Sequence, residues 1–180
     1  SFTDAQGQTP SEPFHVPGTS RCVTCHGEGD KSRALGMRTK QLDVPGQIDR
    51  FVDEGVLKTA PSARGAFPDP YGVDDVNARG RAYLDVNCGD CHSKEGFAAG
   101  TKVRFDLAHL DTVLCQKTKP VDGRDRVIVP GHPEQSELLA RMVADDPVVR
   151  MPQGVILRPD QRGLEVLSSF IASLSAKECP

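Results

Sequence analysis

The chain has 180 residues, 37% of them hydrophobic and only 5% aromatic, with no Trp. That length suits one domain or two small ones, but so few large side chains would leave a protein-only core thin. The net charge of −3 argues against nucleic acid as a partner, and no apolar stretch approaches the length needed to span a bilayer.

In chain order, residues 1–19 are polar and broken by Pro10, Pro13 and Pro17, which predicts a loop or arm. The opening Ser1-Phe2-Thr3-Asp4 is too polar for a signal peptide, so the chain reads as a mature or trimmed form. A short helix is predicted from Thr19 or Ser20, either of which can cap it, through Cys22-Val23-Thr24-Cys25-His26. Residues 45–56 predict a second helix, with Pro45 in the first turn, Ile48, Phe51 and Val52 on one face, and Gly55 near the end. Pro61, Gly65, Pro68, Pro70 and Gly72 mark a linker. A helix starting at Asp74 or Asp75 then aligns Val76, Gly80, Tyr83, Leu84 and Asn87 and runs into Cys88-Gly89-Asp90-Cys91-His92.

Strand signals are weak beyond this point, and Arg126-Val127-Ile128-Val129 is the best of them. Residues 133–144 predict a helix with Leu138, Leu139, Met142 and Val143 on its apolar stripe. Residues 159–176 predict the last, with Leu164, Leu167, Phe170, Ile171 and Leu174 at the helical period. The expected fold class is all-α, divided into a short N-terminal unit (1–57), a linker (58–73) and a C-terminal domain (74–180).

Both Cys-rich motifs read C-x-x-C-H, the pattern of c-type haem attachment. Thiols three residues apart on a helical turn reach the two vinyl groups of one porphyrin, and the adjacent His points its ring nitrogen at the iron. Thioether links are expected from Cys22, Cys25, Cys88 and Cys91, and iron ligation from His26 and His92. The cofactors are then two covalently bound haem c groups. A zinc knuckle would use four thiolates or a Cys/His mix and gives no reason for a His directly after each second Cys. Attachment of haem c occurs outside the cytoplasm, where disulfides persist. The two remaining cysteines, Cys115 and Cys179, are candidates for a bridge.

Residues 74–176 resemble a complete class I cytochrome c, in which an N-terminal helix bearing a small residue crosses an aromatic and aliphatic C-terminal helix. Gly80, Tyr83 and Leu84 match the first helix, and Leu167, Phe170 and Ile171 the second. The fuller chain also resembles a bacterial family of dihaem cytochrome-like proteins. That likeness rests on Ala34-Leu35-Gly36 through Gln41-Leu42, Arg79 to Cys88, Val129-Pro130-Gly131 ahead of Ser136-Glu137-Leu138-Leu139, and Arg150-Met151-Pro152. It implies haem and an extracytoplasmic location, not a substrate. The first haem unit lacks flanking cytochrome helices and is expected to pack against the second domain.

The face of each iron opposite its His decides between electron transfer and chemistry at an open site. Class I cytochromes place a Met where Met151 stands, in a Pro-flanked loop before the last helix; the rival Met142 reads as core. For the first iron Met37 is the nearest Met, with His15, His109, His132 or an open site as alternatives. Arg38, Lys40, Arg104 and Arg126 are candidates for pairing with haem propionates, with solvated surface charge as the plainer reading. The leading expectation is a periplasmic electron carrier between a dehydrogenase donor and a cytochrome or oxidase acceptor. The alternatives are a peroxidase-like haem enzyme and a small-molecule sensor with an open first iron.

Overall fold

The computed structural model describes residues 18–27, 29–36, 38–153, 159–175 and 179. Among these residues six α-helices form: α1 Thr19–His26, α2 Thr39–Leu42, α3 Gln47–Asp53, α4 Val76–Asn87, α5 Glu137–Val143 and α6 Gln161–Ser173. Short 3₁₀ turns at Gly29–Lys31, Ala99–Thr101, Leu110–Val113 and Pro133–Gln135 fill parts of the loops. Every predicted helix has a counterpart; α1 spans its predicted residues and the others have shorter ends. Gly18, not Thr19 or Ser20, caps α1, and it does so without a side-chain bond. The helix expected over 133–144 is interrupted at Ser136, because the Ser136 hydroxyl takes the Val129 N–H (2.9 Å) and donates to the His132 carbonyl (3.0 Å). Those local bonds compete with helix continuation.

The all-α expectation needs correction, because the chain also folds a two-stranded antiparallel hairpin, β1 Lys117–Val121 and β2 Arg124–Arg126. Its turn is Asp122-Gly123, with φ of 51° and 77°. Positive φ at both central residues is the hairpin turn whose twist matches that of the strands, and Asp-Gly is among its favoured sequences. The apolar run Val127-Ile128-Val129 follows β2 and is fully buried. It continues the pairing through Val127 N–H to Gln116 O (2.9 Å) and Cys115 N–H to Ile128 O (2.8 Å). Cys115 forms a disulfide with Cys179, with Cα atoms 5.1 Å apart, and so ties the C-terminal end back to this hairpin.

The core lies in the C-terminal part of the chain, where Tyr83, Leu84, Phe105, Leu110, Ile128, Leu138, Met142, Leu167, Phe170 and Ile171 pack together. Among the described residues before 76, Ile48 is the one fully buried hydrophobic side chain. Helices α4 and α6 cross through two reciprocal notches. A Cβ on Gly80 would overlap the Phe170 ring, and a Cβ on Gly163 would overlap the Tyr83 hydroxyl. Each helix therefore seats an aromatic ring of the other on a backbone that carries no side chain. Gly80→Ala is expected to destabilise the fold by about 1–3 kcal/mol through overpacking, although Ala is intrinsically the better helix former by about 1 kcal/mol. Denaturant unfolding of this variant, alone and combined with Phe170→Ala, tests the point. A penalty undiminished by removal of the ring would refute the notch.

Asp160 organises the start of α6. Its carboxylate accepts from Gly163 N–H (2.9 Å), Tyr83 Oη (2.8 Å) and Tyr71 Oη (3.0 Å), so both tyrosines of the chain converge on one acceptor. Burial raises its pKa, but the Gly163 N–H and the two hydroxyls outweigh that and hold it below the ordinary 3.8. A depressed carboxyl stabilises the folded state above its unfolded pKa and loses that contribution as pH falls through the folded value. Asp160→Asn should lower stability at neutral pH by about 1–2 kcal/mol and flatten the loss of stability below pH ~4. Thermal melts from neutral to acid pH check both.

Candidate functional site

The second C-x-x-C-H stands at the C-terminal end of α4. Cys88 N–H bonds Leu84 O (2.9 Å) and His92 N–H bonds Cys88 O (2.8 Å), carrying the helical pattern through the motif. Cys88 packs against the core, and burial pushes its thiol up to about 12, with Cys91 adding to the shift. Burial also raises Cys91, followed by the neighbouring Cys25 thiol. The His92 ring meets the Phe105 ring edge to face at 5.3 Å. Burial pulls its pKa down, the backbone of Val103 works against this, and Arg104 and Arg141 lower it further. Nδ1 of His92 is buried without a well-formed hydrogen bond, although the Val103 backbone lies close to the ring. The imidazole is therefore neutral near pH 7, the form able to ligate a metal.

The first motif is helical throughout. Cys22 and Cys25 sit three residues apart on α1 and so share a face; Cys22 is exposed and Cys25 half-buried. His26 ends the helix, and its Nδ1 lies 3.0 Å from the Arg33 carbonyl. That bond makes Nδ1 the donor and leaves Nε2 with a free lone pair, the way a metal-binding imidazole is oriented. The Arg33 N–H returns a bond to His26 O (2.7 Å).

The two motifs are clamped together. Arg38 donates to Asp85 Oδ2 (2.8 Å), Asp85 O (2.9 Å) and Asp90 Oδ1 (3.3 Å). Arg33 donates to Asp90 O (3.1 Å), inside the second motif. Asp85 is 3% exposed, and its other oxygen takes Leu107 N–H (3.0 Å). The sequence offers Arg38 as a partner for haem propionates; its guanidinium is instead committed to carboxylates 47 and 52 residues away. Nothing local marks that pairing.

The remaining candidates fall into three groups. Met37 and His15 lie outside the described residues. His109 pairs through Nδ1 with Asp106 (2.6 Å) and His132 with Glu134 (3.3 Å), both largely exposed, which is the satisfied surface role. Met142 is buried in the core. Met151 is half-buried, and its N–H bonds the Arg141 carbonyl (3.0 Å) at the end of α5. Arg141, whose charge is felt at His92, is also bonded to the buried Glu137 and to Val149 O (3.2 Å). Of the other basic candidates, Lys40 lies over the Phe67 ring at 5.7 Å, Arg104 bonds the carbonyls of Val103 and Ala99, and Arg126 is 3.8 Å from Asp125.

These donor sets fit haem c. Cys22, Cys25, Cys88 and Cys91 are free thiols, and each pair precedes a His: an anchored ring at His26, a buried neutral one at His92. A redox dithiol calls for a lowered thiol pKa, whereas Cys88 and Cys91 are raised. A zinc knuckle needs four such ligands turned toward one point, and among the described residues no three His, Cys, Asp or Glu side chains converge in that way.

Comparison with known proteins agrees at the level of class. The family model described as Planctomycete cytochrome C matches residues 88–153, which open on Cys88 and include Met151-Pro152. No curated protein and no solved structure matches the chain. The matched segment makes the C-terminal part a cytochrome c-like domain, the class that binds haem c covalently and ordinarily carries electrons. Among the described residues no helix is long and apolar enough to cross a membrane.

Proposed function

We propose that this protein is a dihaem c-type cytochrome that carries electrons in the periplasm. The observation that carries the reading is the repetition of one donor set, two free thiols followed by an imidazole, at Cys22, Cys25, His26, where the ring is anchored, and at Cys88, Cys91, His92, where it is buried against Phe105. The haem supplies the reversible one-electron chemistry; the chain holds, orients and insulates it. The four cysteines would fix the porphyrins, with His26 and His92 as axial ligands. Residues 74–180 would form a class I domain after a shorter haem unit at 1–57 and a linker at 58–73. The α4–α6 crossing, with Gly80 against Phe170, supports the class I reading.

Met151 is our second ligand for the His92 iron. Its backbone is held by the carbonyl of Arg141, the residue whose charge reaches His92, which favours a loop returning to the same pocket. A thioether there would favour the reduced iron and raise the potential. Met37 is our candidate on the first iron. Small, transient contacts with a dehydrogenase donor and a cytochrome or oxidase acceptor suit such a carrier. The exposure of Cys22 and His26 keeps a second reading open to test, an accessible first iron with peroxidase-like or sensor activity.

Produced in a host that matures c-type cytochromes, the chain should exceed its 19.4 kDa polypeptide mass by two haems. Cys22→Ala/Cys25→Ala and Cys88→Ala/Cys91→Ala should each retain one. A bare polypeptide mass overturns the proposal. Met151→Ala should abolish the long-wavelength Met–iron charge-transfer band of the oxidised protein and lower one reduction potential. An unchanged optical spectrum and potential would exclude Met151. Two low-spin irons indifferent to cyanide support a carrier, whereas a high-spin iron that binds cyanide supports the second reading.

A further inference from the structure

We infer that the fold joins the two attachment segments at Cys25 and Cys91, so that haems held there would lie edge to edge across these two sulfurs. This rests on the two-haem reading and specifies how the pair is arranged. Arg33 links the two motifs directly, its carbonyl holding His26 and its guanidinium bonded to Asp90 O beside Cys91, and the Cys25 side chain is felt at the Cys91 thiol, although 66 positions separate the two cysteines in the sequence, from 25 to 91. In a c-type attachment each sulfur is joined to a carbon borne directly on the porphyrin rim. Neighbouring sulfurs therefore bring neighbouring rims.

Three contacts hold this juxtaposition. Arg33, whose carbonyl orients His26, donates to Asp90 O between Cys88 and Cys91. Arg38 binds Asp85 at the last turn of α4 and Asp90 within the motif. Asp85 is in turn fixed to Leu107 N–H beyond His92. Both attachment segments thus share one set of charge-assisted bonds, and a partly buried arginine fork is more restrictive than an exposed ion pair. With the first segment nearly devoid of a core of its own, these bonds fix its position on the second.

Edge contact has two consequences. The Soret transitions of the two porphyrins couple, and the charge added to one iron raises the cost of adding charge to the other, because their separation is small in a medium of low dielectric. The test is circular dichroism in the Soret region on the mature two-haem protein, its haem content confirmed by intact mass. We expect a bisignate couplet in the wild type that is not the sum of the spectra of the two single-haem variants, Cys22→Ala/Cys25→Ala and Cys88→Ala/Cys91→Ala. Arg38→Gln, retaining both haems by mass, should diminish the couplet. A wild-type Soret signal of one sign, equal to that sum, overturns the inference while leaving two haems in place. If the single-haem variants fail to fold, the wild type still decides, since a two-haem protein with no couplet refutes edge contact. A mass short of two haems instead overturns the function proposed above, so the two failures are distinguishable.

Discussion

The crossing of α4 and α6 is the constraint from which the rest of the structure follows. Gly80 and Gly163 let each helix receive an aromatic ring of the other, and the same contact fixes how α4 lies against α6. The second C-x-x-C-H motif is the direct continuation of that helix, held by Leu84 and Cys88 carbonyls. Packing in a protein interior leaves little slack, so the position and tilt of Cys88 and His92 are inherited from two glycines that belong to neither C-x-x-C-H motif. Asp160 reinforces the joint by capping α6 while accepting hydroxyls from Tyr83 on α4 and Tyr71 on the approach to it.

The N-terminal segment is held by different physics. With Ile48 as its one fully buried described hydrophobic, it gains little from the hydrophobic effect. Its attachment is polar: Arg38 and Arg33 on the second motif, and Arg64 joined to Asp43 and Asp49 (2.8 and 2.9 Å), which folds the segment at Arg64 back onto α3. Replacing charge by apolar packing often leaves stability unchanged or improved, so ion pairs of this kind contribute orientation more than free energy. Orientation is what an attachment motif requires, because a covalently fixed cofactor adopts whatever placement its two sulfurs impose.

A chain with 5% aromatic residues and no Trp is poorly supplied with the large surfaces that usually fill a core. The haems proposed above would make up that shortfall. The Cys88 and Cys91 thiols are held neutral by burial, and the His92 imidazole is likewise kept uncharged and packed on Phe105. Each of these groups is poised for a neutral or covalent partner, not for exchange with solvent.

What the sequence by itself determined is everything encoded within a few residues: the C-x-x-C-H spacing that puts two thiols and an imidazole together, the helical periods of α4 and α6, and the small residue at Gly80. The hairpin was not expected: its strands Lys117–Val121 and Arg124–Arg126 are mostly polar and hold no buried residue, so hydrophobic alternation gave no warning of them, and the Asp122-Gly123 turn was the one local signal. Only the tertiary structure decided that Arg38 binds Asp85 and Asp90, that Cys25 comes to lie beside Cys91, and that Tyr71 and Tyr83 share Asp160. Such pairings depend on where two remote segments are brought by the packing of everything between them, and a side chain's local spacing carries no record of a partner that the fold alone supplies.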